Sequence, residues 1–113
     1  MKLLRWLQDS LFVRNKALRD YRRGMVRARR KDHGEALANY TAAIDAADVP
    51  PDVKAMALYN RALVHVATGN DAKGIDDLDA VLAMDGAMVI VNVKTMARQK
   101  LAKMESRNRK SDR

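Results

Sequence analysis

A shift of 38 residues lays residues 17–47 over 55–85, and this self-similarity constrains the chain more than any single residue does. Five positions are identical under the shift: Ala17/Ala55, Tyr21/Tyr59, Arg23/Arg61, Val26/Val64 and Ala42/Ala80. Others keep their size or apolarity, among them Gly24/Ala62, Met25/Leu63, Leu37/Ile75, Tyr40/Leu78 and Ile44/Leu82. The matches fall on apolar and small positions spaced as one face of a helix is spaced, not a strand. A single unit of about 30 residues cannot bury such a face alone, so the two copies are expected to stack and share a core.

Each copy reads as two helices. In the first, Asp32-His33-Gly34-Glu35 has the form of a capping box: Asp32 accepts from the backbone three residues on and Glu35 reaches back. A second helix therefore starts there, after a turn at Lys31-Asp32. In the second copy Gly69 supplies a left-handed residue that ends one helix, and Asn70 or Asp71 caps the next. The joining segment Asp48-Val49-Pro50-Pro51-Asp52 forbids a continuous helix and presets a new helical start.

The expected organisation is an N-terminal capping or interfacial helix (1–16), repeat one (17–47), a Pro-Pro linker (48–54), repeat two (55–85), a C-terminal capping helix (86–105) and a disordered basic tail (106–113). Leu3, Leu4, Leu7 and Leu11 make one stripe of the first segment, and Val89, Val93, Met96, Ala97, Leu101 and Met104 one face of the last helix. These end segments would cover the outer faces that two repeats leave open. Aromatics at 4 % and only two prolines and five glycines argue against a sandwich or barrel, and the fold class expected is all-α.

The spacing of small residues resembles that of the tetratricopeptide repeat, a helix–turn–helix unit of about 34 residues. Its small-residue slot in the first helix is filled by Gly24 and Ala62, and its next small slot, twelve on, by Ala36 and Gly74. Four further stand Tyr40 and Leu78, and three beyond those Ala43 and Val81. Leu58-Tyr59-Asn60 and Thr68-Gly69-Asn70 are also similar to the family pattern. The family's opening Trp is replaced by Asp20 or Leu58, its next Leu by Arg23 or Arg61, and its Tyr by Arg27 or His65, while the linker lengthens the period.

The resemblance implies a right-handed helical repeat of about two and a half copies, acting as a non-catalytic protein–protein adaptor. Such domains bind a peptide or helix in the concave groove built from the first helix of each copy. Carried over, that face presents Leu18, Tyr21, Arg22, Met25 and Arg29 from copy one, and Met56, Tyr59, Asn60, Leu63 and Val66 from copy two. Tyr21 and Tyr59 would supply apolar contact with polar tips, Asn60 would bond a ligand backbone, and Arg22 and Arg29 would select acidic groups. A groove mixing Tyr, Met and Arg suits an acidic, amphipathic ligand. The competing occupant is the N-terminal segment itself. The carboxylate clamp that one subgroup uses for chaperone tails is matched here by Asn60 alone, since Tyr21 and Met25 stand at its other places.

The net charge of +8 is distributed in blocks. Residues 1–34 hold 11 Lys/Arg against 3 Asp, residues 35–93 hold 3 against 9 acidic residues, and residues 94–113 hold 8 against 2. Basic ends around an acidic middle attract an acidic protein partner, an anionic membrane or nucleic acid, or a second copy of the chain. Arg19, Arg23, Arg27 and Arg30 form one helical stripe, with Arg22 and Arg29 on another. Their bland reading is a solvated face salt-bridged to the Asp-rich middle. No aromatic stacking series or base-reading motif accompanies them.

Other chemistry is sparse. Without cysteine there is no disulfide, thiolate zinc site or cysteine nucleophile, which is compatible with a reducing compartment. Asp76-Asp77-Leu78-Asp79 falls in an expected helix rather than a glycine-containing metal loop, so solvated surface is its expected role. His33 belongs to a cap and His65 to packing, with no ligand spacing between them. No phosphate loop, serine nucleophile motif or catalytic carboxylate pair is present, so neither enzyme activity nor a cofactor or metal is expected. Arg5, Gln8 and Asp9 interrupt the N-terminal apolar run before it could form a signal, and no stretch of about 18 apolar residues occurs. A cytoplasmic protein is expected, with the N-terminal helix and its Trp6 and Phe12 as the route to a membrane surface.

Overall fold

The computed structural model describes the backbone of residues 2–47 and 49–112, and side chains within 16–47 and 49–112. Among these residues only Lys31 (φ 62°) and Gly69 (φ 83°) take left-handed backbone conformations, and they stand 38 positions apart. Each ends the first helix of its copy in the same way. The Asp32 N–H donates to the Arg27 carbonyl at 2.9 Å and the Lys31 N–H to the Ala28 carbonyl at 3.0 Å. Asn70 donates to His65 at 2.8 Å and Gly69 to Val66 at 3.1 Å. Paired six-to-one and five-to-two bonds of this kind satisfy the last carbonyls of a helix and reverse the chain.

The elements in order are α1 (Lys2–Arg29), α2 (His33–Asp45), α3 (Pro51–Ala67), α4 (Asp71–Leu82) and α5 (Met88–Ser111), with no strand among the described residues. Pro51 is the first residue of α3, where its missing N–H has no cost and its fixed φ suits the helix. α1 packs on α2 and α3 on α4, forming two helix–turn–helix units. α2 packs on α3 to stack the units, and α5 lies against α3 and α4. The molecule is all-α with the repeat-like arrangement that the self-similarity requires.

Two core clusters share α3. One joins Ala17 and Tyr21 of α1 and Ala36, Tyr40 and Ala43 of α2 to Val53, Ala57 and Val64 of α3. The other joins Ala55, Leu58 and Ala62 of α3 to Leu78 and Val81 of α4 and Ile90, Val93, Ala97 and Met104 of α5. Small residues permit close packing: a Cβ at Gly24 would stand 2.6 Å from the Tyr40 ring, and one at Gly74 2.7 Å from a Val66 methyl. The larger ring in copy one thus faces the smaller slot.

Five details differ from the sequence reading. The linker expected over 48–54 is helical from Pro51 on, because proline suits the first turn of a helix. Asp32 and Asn70 occupy N-cap positions, but neither side chain makes a capping hydrogen bond. Glu35 instead pairs with Arg27 across the turn, because a guanidinium within reach attracts the carboxylate more strongly than a neutral N–H does. Residues 2–16 are not a separate helix: they continue α1 without interruption, so their backbone folds back neither over the first repeat nor into its groove. The side chains of Leu3, Leu4, Trp6, Leu7, Leu11 and Phe12 lie outside the described residues.

The tail expected from residue 106 is helical through Ser111. Arg109 and Lys110 sit in the last turn, where cations interact favourably with the free carbonyls. Arg107 bonds Asp71 of α4 at 3.0 Å, and Ser111 Oγ donates to the Arg107 carbonyl at 3.2 Å. Finally, the face that α5 buries keeps Val93, Ala97, Leu101 and Met104 of the expected set but takes Ile90 in place of Val89 and Met96, which are 43 % and 40 % exposed. No helix among the described residues is long and apolar enough to cross a membrane.

Candidate functional site

With Val89 and Met96 outward, α5 forms one wall of a groove. Tyr21 of α1 forms one end, Met56, Tyr59 and Asn60 of α3 the middle, and Val89, Asn92, Val93 and Met96 of α5 the other wall, around a volume of about 420 Å³. The i, i+3 and i+4 spacing of 56, 59 and 60, and of 89, 92, 93 and 96, places each set on one helical face. The lining holds no charged side chain. Its polar groups are two tyrosine hydroxyls and two carboxamides.

Asn60 is fixed from within. Its Nδ2 donates to the Met56 carbonyl at 2.9 Å and to the Tyr21 hydroxyl at 3.2 Å, tying α3 to α1 across the groove floor. The Oδ1 is left to accept from a bound N–H. The Tyr21 ring is tilted against Tyr40 with centroids 6.0 Å apart, a contact that contributes about 0.5–1.5 kcal/mol beyond its burial. Burial raises the Tyr21 hydroxyl above its ordinary pKa, partly offset by the Asn60 hydrogen bond. Burial, with Tyr21 adding to it and Arg29 opposing, pushes Tyr40 up to about 12. Both phenols are therefore neutral across the physiological range.

Of the eight residues expected to bind a partner, Tyr21, Met56, Tyr59 and Asn60 come together here. Met25 turns inward onto the first core cluster. Leu63 is half-buried on α3 outside the groove lining, and Arg29 is exposed at the end of α1. Arg22 lines a different surface, the outward face of α1, together with Arg19 and Arg23. The sequence reading missed the whole α5 wall. Its signal was there: Val89, Asn92 and Met96 fall on a second helical face beside the buried stripe of Ile90, Val93 and Ala97.

The opposite side of the repeats carries a polar cavity of about 390 Å³ between α2, α3 and α4. Arg61 donates from Nε and Nη2 to the two carboxylate oxygens of Asp77 at 2.8 and 2.7 Å, and from Nη1 to Thr41 Oγ1 at 3.1 Å. This corrects the reading of the Asp76–Asp79 run as solvated surface. Asp76 and Asp79 are exposed, but Asp77 is buried and paired. His65 Nε2 stands 3.9 Å from Asp77 and its buried Nδ1 has no partner. Burial lowers the His65 pKa despite the Asp77 charge, with Arg61 and Lys73 acting in the same direction as burial. Among the described residues no three His, Asp or Glu side chains converge to hold a metal ion.

On the outward face of α1, Leu18 and Val26 floor a depression of about 530 Å³ walled by arginines. Arg27 there pairs with Glu35 and lies 3.9 Å from Asp32.

Comparison with protein-family models, with curated proteins and with solved structures finds no match to this chain.

Proposed function

We propose that the chain is a non-catalytic interaction module, similar in plan to a tetratricopeptide domain, that seats an amphipathic helix or peptide between α1, α3 and α5. The single observation that carries this reading is the groove lining. Val89 and Met96 expose apolar surface beside Met56 and Tyr59 in a concavity that packing of the repeats does not require. Apolar and aromatic walls with a few fixed polar groups are what peptide-binding surfaces offer. Asn60, held by Tyr21 and the Met56 carbonyl, presents its free oxygen to a ligand backbone without further ordering.

Because the lining is neutral, the side of the ligand that enters is apolar. Acidic residues of the same ligand would lie outside the groove. The rival reading, a basic protein that coats anionic membrane or nucleic acid, draws on the arginine face of α1 and does not use the groove.

Selection of peptides from a random display library on the full chain tests the proposal. Selected sequences are expected to share apolar residues at helical spacing. Their affinity should fall at least about tenfold for Met96→Glu and for Tyr59→Ala combined with Asn60→Ala, with helical dichroism unchanged. Peptides indifferent to both variants would place binding elsewhere.

A further inference from the structure

Subtracting 38 from the α3 residues that face α2 gives the outward face of α1. α3 presents Ala57 and Val64 to the first core cluster and Arg61 to Thr41. Their counterparts are Arg19, Val26 and Arg23. Val64 is 5 % exposed, whereas Val26 is 40 % exposed. Among the described residues α1 packs on α2 and α3 alone. The surface that seats α2 on α3 thus has an open counterpart on α1, which keeps the valine and one arginine and carries Arg19 where α3 has the buried Ala57.

Its chemistry has changed in one direction. Arg61 finds its carboxylate in Asp77 of its own repeat, but the counterpart of Asp77 is Asn39, so Arg23 has no such partner. Arg19, Arg22, Arg23 and Arg30 make no ion pair among the described residues. They surround the apolar floor of Leu18 and Val26. A flat polyanion would leave that floor unused; a helix with a small-residue stripe flanked by carboxylates would fill it. A second copy is a poor occupant, since α3 covers the seating face of α2, α5 lies on α4, and α5 ends in basic residues.

We infer that the outward face of α1 docks an acidic amphipathic helix of a partner protein, in the place that α2 holds on α3, with carboxylates on Arg19, Arg22 and Arg23 and apolar residues on Leu18 and Val26. This surface is independent of the groove.

The probe is a synthetic peptide copying residues 32–46 with Leu37→Glu, Tyr40→Ala and Thr41→Glu, which with Asp45 gives an acidic stripe beside the small residues Ala36 and Ala43. Titrated into the full chain by calorimetry, it should bind, and weaken about tenfold or more between about 50 and 300 mM salt. Arg19→Glu with Arg23→Glu should remove binding while dichroism and melting are kept, and Met96→Glu in the groove should leave it unchanged. The inference is overturned if a peptide with Gln in place of the acidic stripe binds equally, or if the double charge reversal has no effect. It is also overturned if a short DNA duplex or phosphatidylserine vesicles bind this face more tightly than the peptide does.

Discussion

Arg61 holds Asp77 through two parallel hydrogen bonds of 2.8 and 2.7 Å, and its third reaches Thr41 in the preceding unit. One side chain therefore fixes α4 against α3 and α3 against α2. Asp77 is 6 % exposed, so losing the guanidinium strands a buried carboxylate. Arg61→Ala should cost about 2–3 kcal/mol in urea unfolding, less than a wholly buried pair because the Arg61 side chain keeps part of its surface in water. Replacing both, as Arg61→Met with Asp77→Leu, should recover most of the loss. A single-variant loss below about 0.5 kcal/mol, the scale of exposed pairs, would show the bridge to be a surface ornament.

Gly24 and Tyr40 in copy one correspond to Ala62 and Leu78 in copy two. A methyl at Gly24 would meet ring atoms at 2.6 Å, and the ring is itself packed and nearly inaccessible. Gly24→Ala should destabilise by about 1–3 kcal/mol. Combined with Tyr40→Leu it rebuilds the second-copy pair, so the double variant should be more stable than the sum of the singles by about 1 kcal/mol or more. Strict additivity would mean that the two slots do not touch as described.

Lys31 holds φ at 62°, where its counterpart is Gly69. Lys31→Gly should raise stability by about 1 kcal/mol, because the left-handed conformation costs a residue with a Cβ roughly that much. Gly69→Ala should lower it by a similar amount. Thermal melts of the two variants moving in the same direction would contradict the matched turns.

His65 titrates below its ordinary value of 6.5 in the folded chain, chiefly because it is buried. The unfolded chain then takes up a proton near 6.5 that the folded chain refuses until lower pH. Stability is fully present above that value and falls as the pH drops through it toward the folded pKa. The melting temperature should decline between about pH 7.5 and 5.5, and His65→Gln should flatten this part of the profile. A variant whose decline matches the parent would assign the effect to other groups.

The sequence showed the helices and the two-unit plan, because these rest on local periodicity; it showed a break and a new helical start at the paired prolines, but not that the helix begins at Pro51 inside the expected linker. Tyr21, Met56, Tyr59 and Asn60, which were expected together only through the resemblance, do line one groove, because 56, 59 and 60 share a face of α3 and Tyr21 of α1 reaches Asn60. The α5 wall was hidden by geometry. With apolar residues on two faces of α5, only the packing of Ile90 and Val93 against α3 and α4 decides that Val89 and Met96 face outward. Lys31 was read as a turn but not as left-handed, since a lysine does not advertise that conformation. Asp77 looked like its exposed neighbours Asp76 and Asp79 because its partner is sixteen residues away.

Peptide binding in the groove is read residue by residue in amide NMR of the full chain titrated with a library-selected peptide. The largest shifts are expected around Tyr21, across Met56–Asn60 and across Val89–Met96, with the Asn60 and Asn92 side-chain amides moving and α2 and α4 still. Shifts confined to α2 and α4, or to the arginines of α1 with α3 and α5 unmoved, would contradict it.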